Sequence, residues 1–322
     1  MLSFILPLAL LATASAYSNS PLRKPPSASI SAQKNGFSQL QIPSDRRTSL
    51  AHIAALATAL TINQPAYASD TAQSQYTLEA RSAENSLAPP PYGMEASDIF
   101  YPPAFQGSWK AVSKTVEIIA PCGFELFTGG KAGYDNAVQK EVTEGNDLEY
   151  KARFVTLSGG EDSGGTYLAA DREYNAREIA KAAMGEYSVV DTPMATPNRY
   201  SCVLAPPGGN MANLISVDII AIARKSEPVS SDKFVCSEFV RQIVTRAQKN
   251  NPNAPPVTPL SVKEIETISI YNVAGKDKIQ CRQRTATFLL PSQTDPLALK
   301  KWQLSQGKPV DVRYYDVTYT RA

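Results

Sequence analysis

Eight stretches of this chain alternate apolar and polar residues with a period of two, and clusters of Gly and Pro separate them. That pattern constrains the fold more than any other feature, because alternation buries one face of a strand and leaves the other wet. The stretches are residues 106–120, 148–157, 199–204, 214–224, 234–245, 262–272, 278–290 and 310–320. In the clearest of them Ile215, Val217, Ile219, Ala221 and Ala223 share one face, while Ser216 and Asp218 lie opposite. Loops follow at 158–165, 206–210 and 250–259. About eight antiparallel strands joined in this way predict a mainly β protein, an up-and-down barrel whose closure removes exposed strand edges.

Two short helices accompany the strands. Asn175 and Glu178 have the spacing of a capping box, Ile179 and Ala183 share a face, and Gly185 is placed to end the helix. A second helix is expected at residues 296–305. Residues 69–103 carry Pro89-Pro90-Pro91 and Pro102-Pro103 without periodicity, which reads as an extended or disordered leader ahead of a barrel domain at 104–322.

The N-terminal 68 residues read differently. Residues 1–16 hold a short apolar run ending Ala14-Ser15-Ala16, as a signal peptide does. Residues 17–45 are Ser-rich, with Arg23, Lys24 and Lys34 and no acid before Asp45, the composition of a plastid transit peptide. Residues 46–68 open with Arg46-Arg47, continue through a mildly apolar stretch and end at Ala66-Tyr67-Ala68, an export signal of the twin-arginine kind. In this order the three resemble the tripartite presequence of thylakoid-lumen proteins in algae with secondary plastids. The resemblance implies a lumenal address and a mature chain starting at Ser69.

Charge and residue usage narrow the chemistry. The first 68 residues have five basic residues against Asp45 alone, a net of +4; the remaining 254 have 27 basic and 29 acidic residues, a net of −2. A near-neutral mature chain makes no case for nucleic acid. The single histidine, His52, falls in the presequence. The mature chain therefore has no Ser-His-Asp or Cys-His pair and no His-ligated metal centre. Cys122, Cys202, Cys236 and Cys281 form no C-x-x-C pair; two disulfides are possible, in three connectivities. Glu264 and Glu266 share a strand face, near the spacing of a glycosidase pair, but the same pattern describes a solvated face. The glycine-rich stretch 159–165 lacks the Lys of a phosphate loop and carries two acids, so it reads as a hairpin loop.

Two resemblances concern the mature chain. Phe105-Gln106-Gly107-Ser108-Trp109 is similar to the G-x-W that opens lipocalins and other calycins, where the Trp closes the barrel floor. The blocks 101–109, 170–175, 265–271 and 289–296 resemble the signature blocks of an uncharacterised plastid and cyanobacterial family, a domain of unknown function. That likeness implies photosynthetic membranes as the setting and no particular reaction. Candidate ligand or partner residues are Trp109, Asp171, Arg172 and Asn175. Core packing, helix capping and a surface ion pair are their structural explanations. Three functions are open: a non-catalytic lumenal barrel binding an apolar pigment, quinone or lipid; an accessory protein docking on a photosystem or its assembly intermediates; and, by analogy with violaxanthin de-epoxidase, a lumenal enzyme acting on a carotenoid or lipid through carboxylate and Tyr groups.

Overall fold

The computed structural model describes residues 77–93, 98–158, 165–186, 189–205, 214–246, 259–292 and 295–322. The presequence with Arg46, Arg47, Ala66 and Ala68, the glycine-rich loop at 159–164 and the clusters at 206–210 and 250–258 lie outside them.

The described residues form eleven strands: β1 (Gly107–Ile119), β2 (Leu148–Ser158), β3 (Thr166–Ala170), β4 (Val189–Asp191), β5 (Met194–Thr196), β6 (Arg199–Leu204), β7 (Ile215–Pro228), β8 (Lys233–Arg246), β9 (Ser261–Val273), β10 (Lys278–Leu289) and β11 (Asp311–Arg321). All eight expected strands are present. Ten strands run in the order β3-β2-β1-β11-β10-β9-β8-β7-β6-β4, every neighbouring pair antiparallel, and β5 pairs with β6 off this path. The sheet curls into an open half-barrel.

The first-to-last pairing of an up-and-down barrel does form, between β1 and β11. Closure of the ring by strands does not. The seam falls between β3 and β4, which have five and three residues and no ladder between them. Helix α3 (Arg172–Met184) occupies that place, packing on β2 from one side and on β4 and β6 from the other. Its buried residues Arg172, Asn175, Ala176, Ile179 and Ala180 make the stripe that a 3.6-residue period requires.

Three further helices lie outside the barrel interior: α1 (Leu78–Ser82), α2 (Gly130–Ala137), which runs into a π-helical turn at Val138–Thr143, and α4 (Pro296–Ser305). The last has the bounds expected from sequence, with Asp295 capping its first turn. Helix α1 falls within residues 69–103, the stretch expected from sequence to be an extended or disordered leader. Thr77 caps it, Leu78 is buried against Val235 and Ile268 on the outer face of the sheet, and the Leu78 amide donates to Glu227.

Two β-bulges reset the alternation. In β7 the register shifts between Ala221 and Ala223; in β1 it shifts between Thr115 and Glu117. Ala221 therefore faces the interior as expected, but Ala223 joins an outer cluster with Phe239 and Val312, and Arg224 turns inward.

Below the bulges the interior is filled by aromatic rings. Phe105 lies at their centre, with ring centroids 5.0 Å from Tyr101, 5.2 Å from Phe154 and 5.1 Å from Tyr271. Trp109 is fully buried beside them. Its Nε1 donates to the Phe105 carbonyl at 2.7 Å, and the Arg321 guanidinium lies 4.3 Å from its ring centre. Gly107, with φ 107°, supplies the left-handed backbone between the two. Trp109→Ala should accordingly cost about 3 to 5 kcal/mol as a large-to-small core change; urea melts of the purified chain measure it, and a cost near zero would mean that the ring is dispensable to the packing.

Candidate functional site

Above the aromatic end the inner face becomes polar. Arg224, Glu238, Thr267, Thr285 and Arg313 are cross-strand neighbours on five successive strands, and all are buried. Charge is gathered at the two ends of this row. On one side Glu238 accepts from Arg224 Nε at 2.7 Å and from Arg172 Nη1 at 3.4 Å, while Arg172 also clasps Asp98 with Nε and Nη2. On the other, Arg313 binds Glu141 at 2.7 Å and Asp311 at 3.0 Å. Lys263 lies two inner-face rows away, opposite Gln242.

The low dielectric of this belt moves its titratable groups. Burial pushes Asp98 up to about 7, against the pull of the Arg224 charge, and pushes Arg172 down to about 10. It lowers Lys263 to about 8, although Asp311 opposes the shift. Some polar groups of the belt have no partner among the described residues: both amide atoms of Gln242, the Thr267 hydroxyl and the Tyr200 hydroxyl. Groups of this kind are where ordered water or a polar ligand gains most.

The residues singled out from sequence come together around α3, in roles that differ from those expected. Asp171 is the N-cap, its carboxylate accepting from the Tyr174 amide at 3.2 Å and pairing with Arg153. Asn175 is not the cap. Its side chain accepts from the Arg153 amide at 2.7 Å and donates to the Arg153 carbonyl at 2.9 Å, clamping the helix to β2. The helix starts four residues earlier than the capping-box spacing implies because Asp171 offers an equally short acceptor and Arg153 holds it there. Arg172 is no surface residue: it is buried in the charge belt. Trp109 belongs to the aromatic end and is not part of this group.

All four cysteines are free, Cys202, Cys236 and Cys281 buried and Cys122 partly so. Strand β9 separates Cys236 on β8 from Cys281 on β10. Two strand spacings are about 9.5 Å, beyond the roughly 7 Å over which a disulfide closes. Glu264 and Glu266 do share a face, but each is engaged: Glu264 with Arg241 at 2.7 Å, Glu266 with Arg81 at 2.7 Å and Arg284 at 3.3 Å. They are ion-pair partners, which removes the paired-acid geometry.

Sequence reading missed Asp98, Arg224, Glu238 and Gln242. Phe234, Cys236, Glu238, Val240, Gln242 and Val244 share the inner face of β8, so two polar residues interrupting an apolar face carried the signal.

A family model described as a domain of unknown function (DUF6816) matches residues 93–322. The chain belongs to this family. The match spans the whole sheet, α3, and every residue of the belt named above. No curated protein and no solved structure matches the chain.

Two predictions follow from the geometry. Asn175→Ala leaves the Arg153 amide without its acceptor, while the Arg153 carbonyl still accepts from the Asp171 amide at 2.9 Å, and should cost about 1 to 3 kcal/mol, more than the 0.5 to 2 kcal/mol or so for Asp171→Ala; urea melts of both variants rank them. The second concerns pH. The native Asp98 value lies above the unfolded value of about 4, so the native state holds an extra proton between about 4 and 7 and loses stability as pH rises through that window. Asp98→Asn should remove up to about 4 kcal/mol of that decline, read as the difference between the stability profiles of the two proteins.

Proposed function

We propose that this protein is a non-catalytic accessory factor of the thylakoid lumen that docks on a photosystem or one of its assembly intermediates. The presequence supports the address. The observation that carries the docking is the outer face of α4, where Leu297 and Leu304 are 62% and 60% exposed, seven residues apart on one helix face with exposed Lys300 between them. Large apolar side chains left bare in register on a helix are characteristic of contact surfaces.

The filled aromatic end weighs against the carrier reading, in which a pigment, quinone or lipid would lie inside a hollow barrel as in lipocalins. No helix among the described residues is long and apolar enough to cross a membrane.

Native gels of isolated thylakoids test the proposal. The wild-type chain is expected to migrate with a pigment–protein complex, and Leu297→Ser with Leu304→Ser to release it. Free migration of the wild type overturns docking, as does saturable quenching of Trp109 fluorescence by a carotenoid, chlorophyll or quinone. Terminal sequencing of the native protein should begin at Ser69; a start at Tyr17 or Ser18 would remove the lumenal address.

A further inference from the structure

A cleft of about 310 Å³ opens on the outer face of the sheet, between the chain that leaves α1 and strands β1, β9, β10 and β11. Arg284 and Arg282 line it from β10, Tyr314 from β11, Glu117 from β1, and Ser82 and Asn85 from the α1 segment. It belongs to neither the inner belt nor α4.

Arg284 is the unusual member. It is 1% exposed; its Nη1 meets Glu266 at 3.3 Å and the Tyr314 hydroxyl interacts with its guanidinium, while Nε and Nη2 make no well-formed hydrogen bond among the described residues. Glu266 is already shared. It takes Arg81 on both oxygens, at 2.7 and 3.2 Å, and the Tyr92 hydroxyl at 3.0 Å. One carboxylate thus faces two buried guanidiniums, and an under-compensated buried cation is costly unless something else meets its donors. Arg282, exposed at the mouth, lies 5.7 Å from the centre of the Tyr314 ring and forms no ion pair among the described residues. The Tyr314 hydroxyl and the Asn85 side chain meet at 2.8 Å on the opposite wall.

We propose that this cleft binds an oxyanion, a phosphate or sulfate group either free or at the end of a lipid headgroup. Two guanidiniums present planar donor forks suited to such oxygens, and Asn85, whose Oδ1 accepts from the Tyr314 hydroxyl, has its amide nitrogen left as a neutral donor. Glu117 is the one acid that lines the cleft, and it opposes an anion. That opposition makes the proposal sharp, because two exposed residues of opposite charge must act with opposite sign.

The experiment titrates inorganic phosphate, and separately sulfate, into the full chain by calorimetry, with chloride holding ionic strength constant. Saturable binding is expected, weakened at least fivefold by Arg282→Gln and tightened by Glu117→Gln. Arg284→Gln should abolish it; because that change also removes a buried ion-pair partner of Glu266, circular dichroism accompanies it and the two exposed variants decide. Absence of saturation, or affinities unmoved by both exposed variants, overturns the proposal. Sedimentation with phosphatidylglycerol vesicles against phosphatidylcholine vesicles separates the sources. Phosphate-competed binding to the former identifies a headgroup, and calorimetric binding without sedimentation identifies the free ion. Neither result depends on α4, so docking and anion binding stand or fall separately.

Discussion

Glu238 holds two guanidiniums at once, Arg224 from the neighbouring strand and Arg172 from the helix in the seam. The rest of the fold depends on that contact, because the half-barrel has no ladder to join its ends. Helix α3 must be fixed to both sides by other means. On the β2 side, Asn175 substitutes for a ladder by bonding both backbone groups of Arg153. On the far side, Arg172 reaches through the interior to a strand in the middle of the sheet. Buried ion pairs of this kind add little net stability over a well-packed apolar contact, but losing one partner costs about 3 to 5 kcal/mol. Their effect is to make one position of the helix much better than its neighbours.

The bulge in β7 belongs to the same device. Strict alternation from Ile215 would place Ala223 inside and Arg224 in solvent, which is how the sequence reads. One extra residue in the strand reverses that and gives Glu238 its partner. Periodicity made the eight long strands legible, since each has enough residues to show a period. It could not reveal a one-residue slip whose cause lies on another strand. The short strands β3, β4 and β5 were illegible for a related reason: three to five residues carry no measurable period, and their pairing is set by what lies beside them.

The candidate site was legible in part. The run Asp171, Arg172 and Asn175 stood out because polar residues cluster where an apolar helix begins, and the structure gathers them at the seam. Their roles were not legible. Capping spacing favours Asn175 as readily as Asp171, and only the backbone of Arg153, about twenty residues earlier in the chain, decides between them. The expectation of an antiparallel sheet curling back on itself held for the β1–β11 pairing and failed for the closure of the barrel.

The two faces of the sheet solve the problem of buried charge in different ways. Inside, the charges around Glu238 and Arg313 meet partners supplied by neighbouring strands, by α3 and by the turn at Glu141. Outside, Glu266 is one carboxylate for both Arg81 and Arg284, and the shortfall sits where the α1 segment crosses β9 and β10. That segment is held by Leu78 in its apolar contact, by Arg81 and the Tyr92 hydroxyl on Glu266, by the Leu78 amide on Glu227, by Lys233 on Glu79, and by the Tyr314 hydroxyl on Ser82 and Asn85. Since Ser82 and Asn85 form one wall of the cleft and β10 forms the other, an anion between them would bridge the segment to the sheet as well as satisfy Arg284. On the proposal above, occupancy of the cleft adds to the anchorage of the N-terminal segment, and the two are linked.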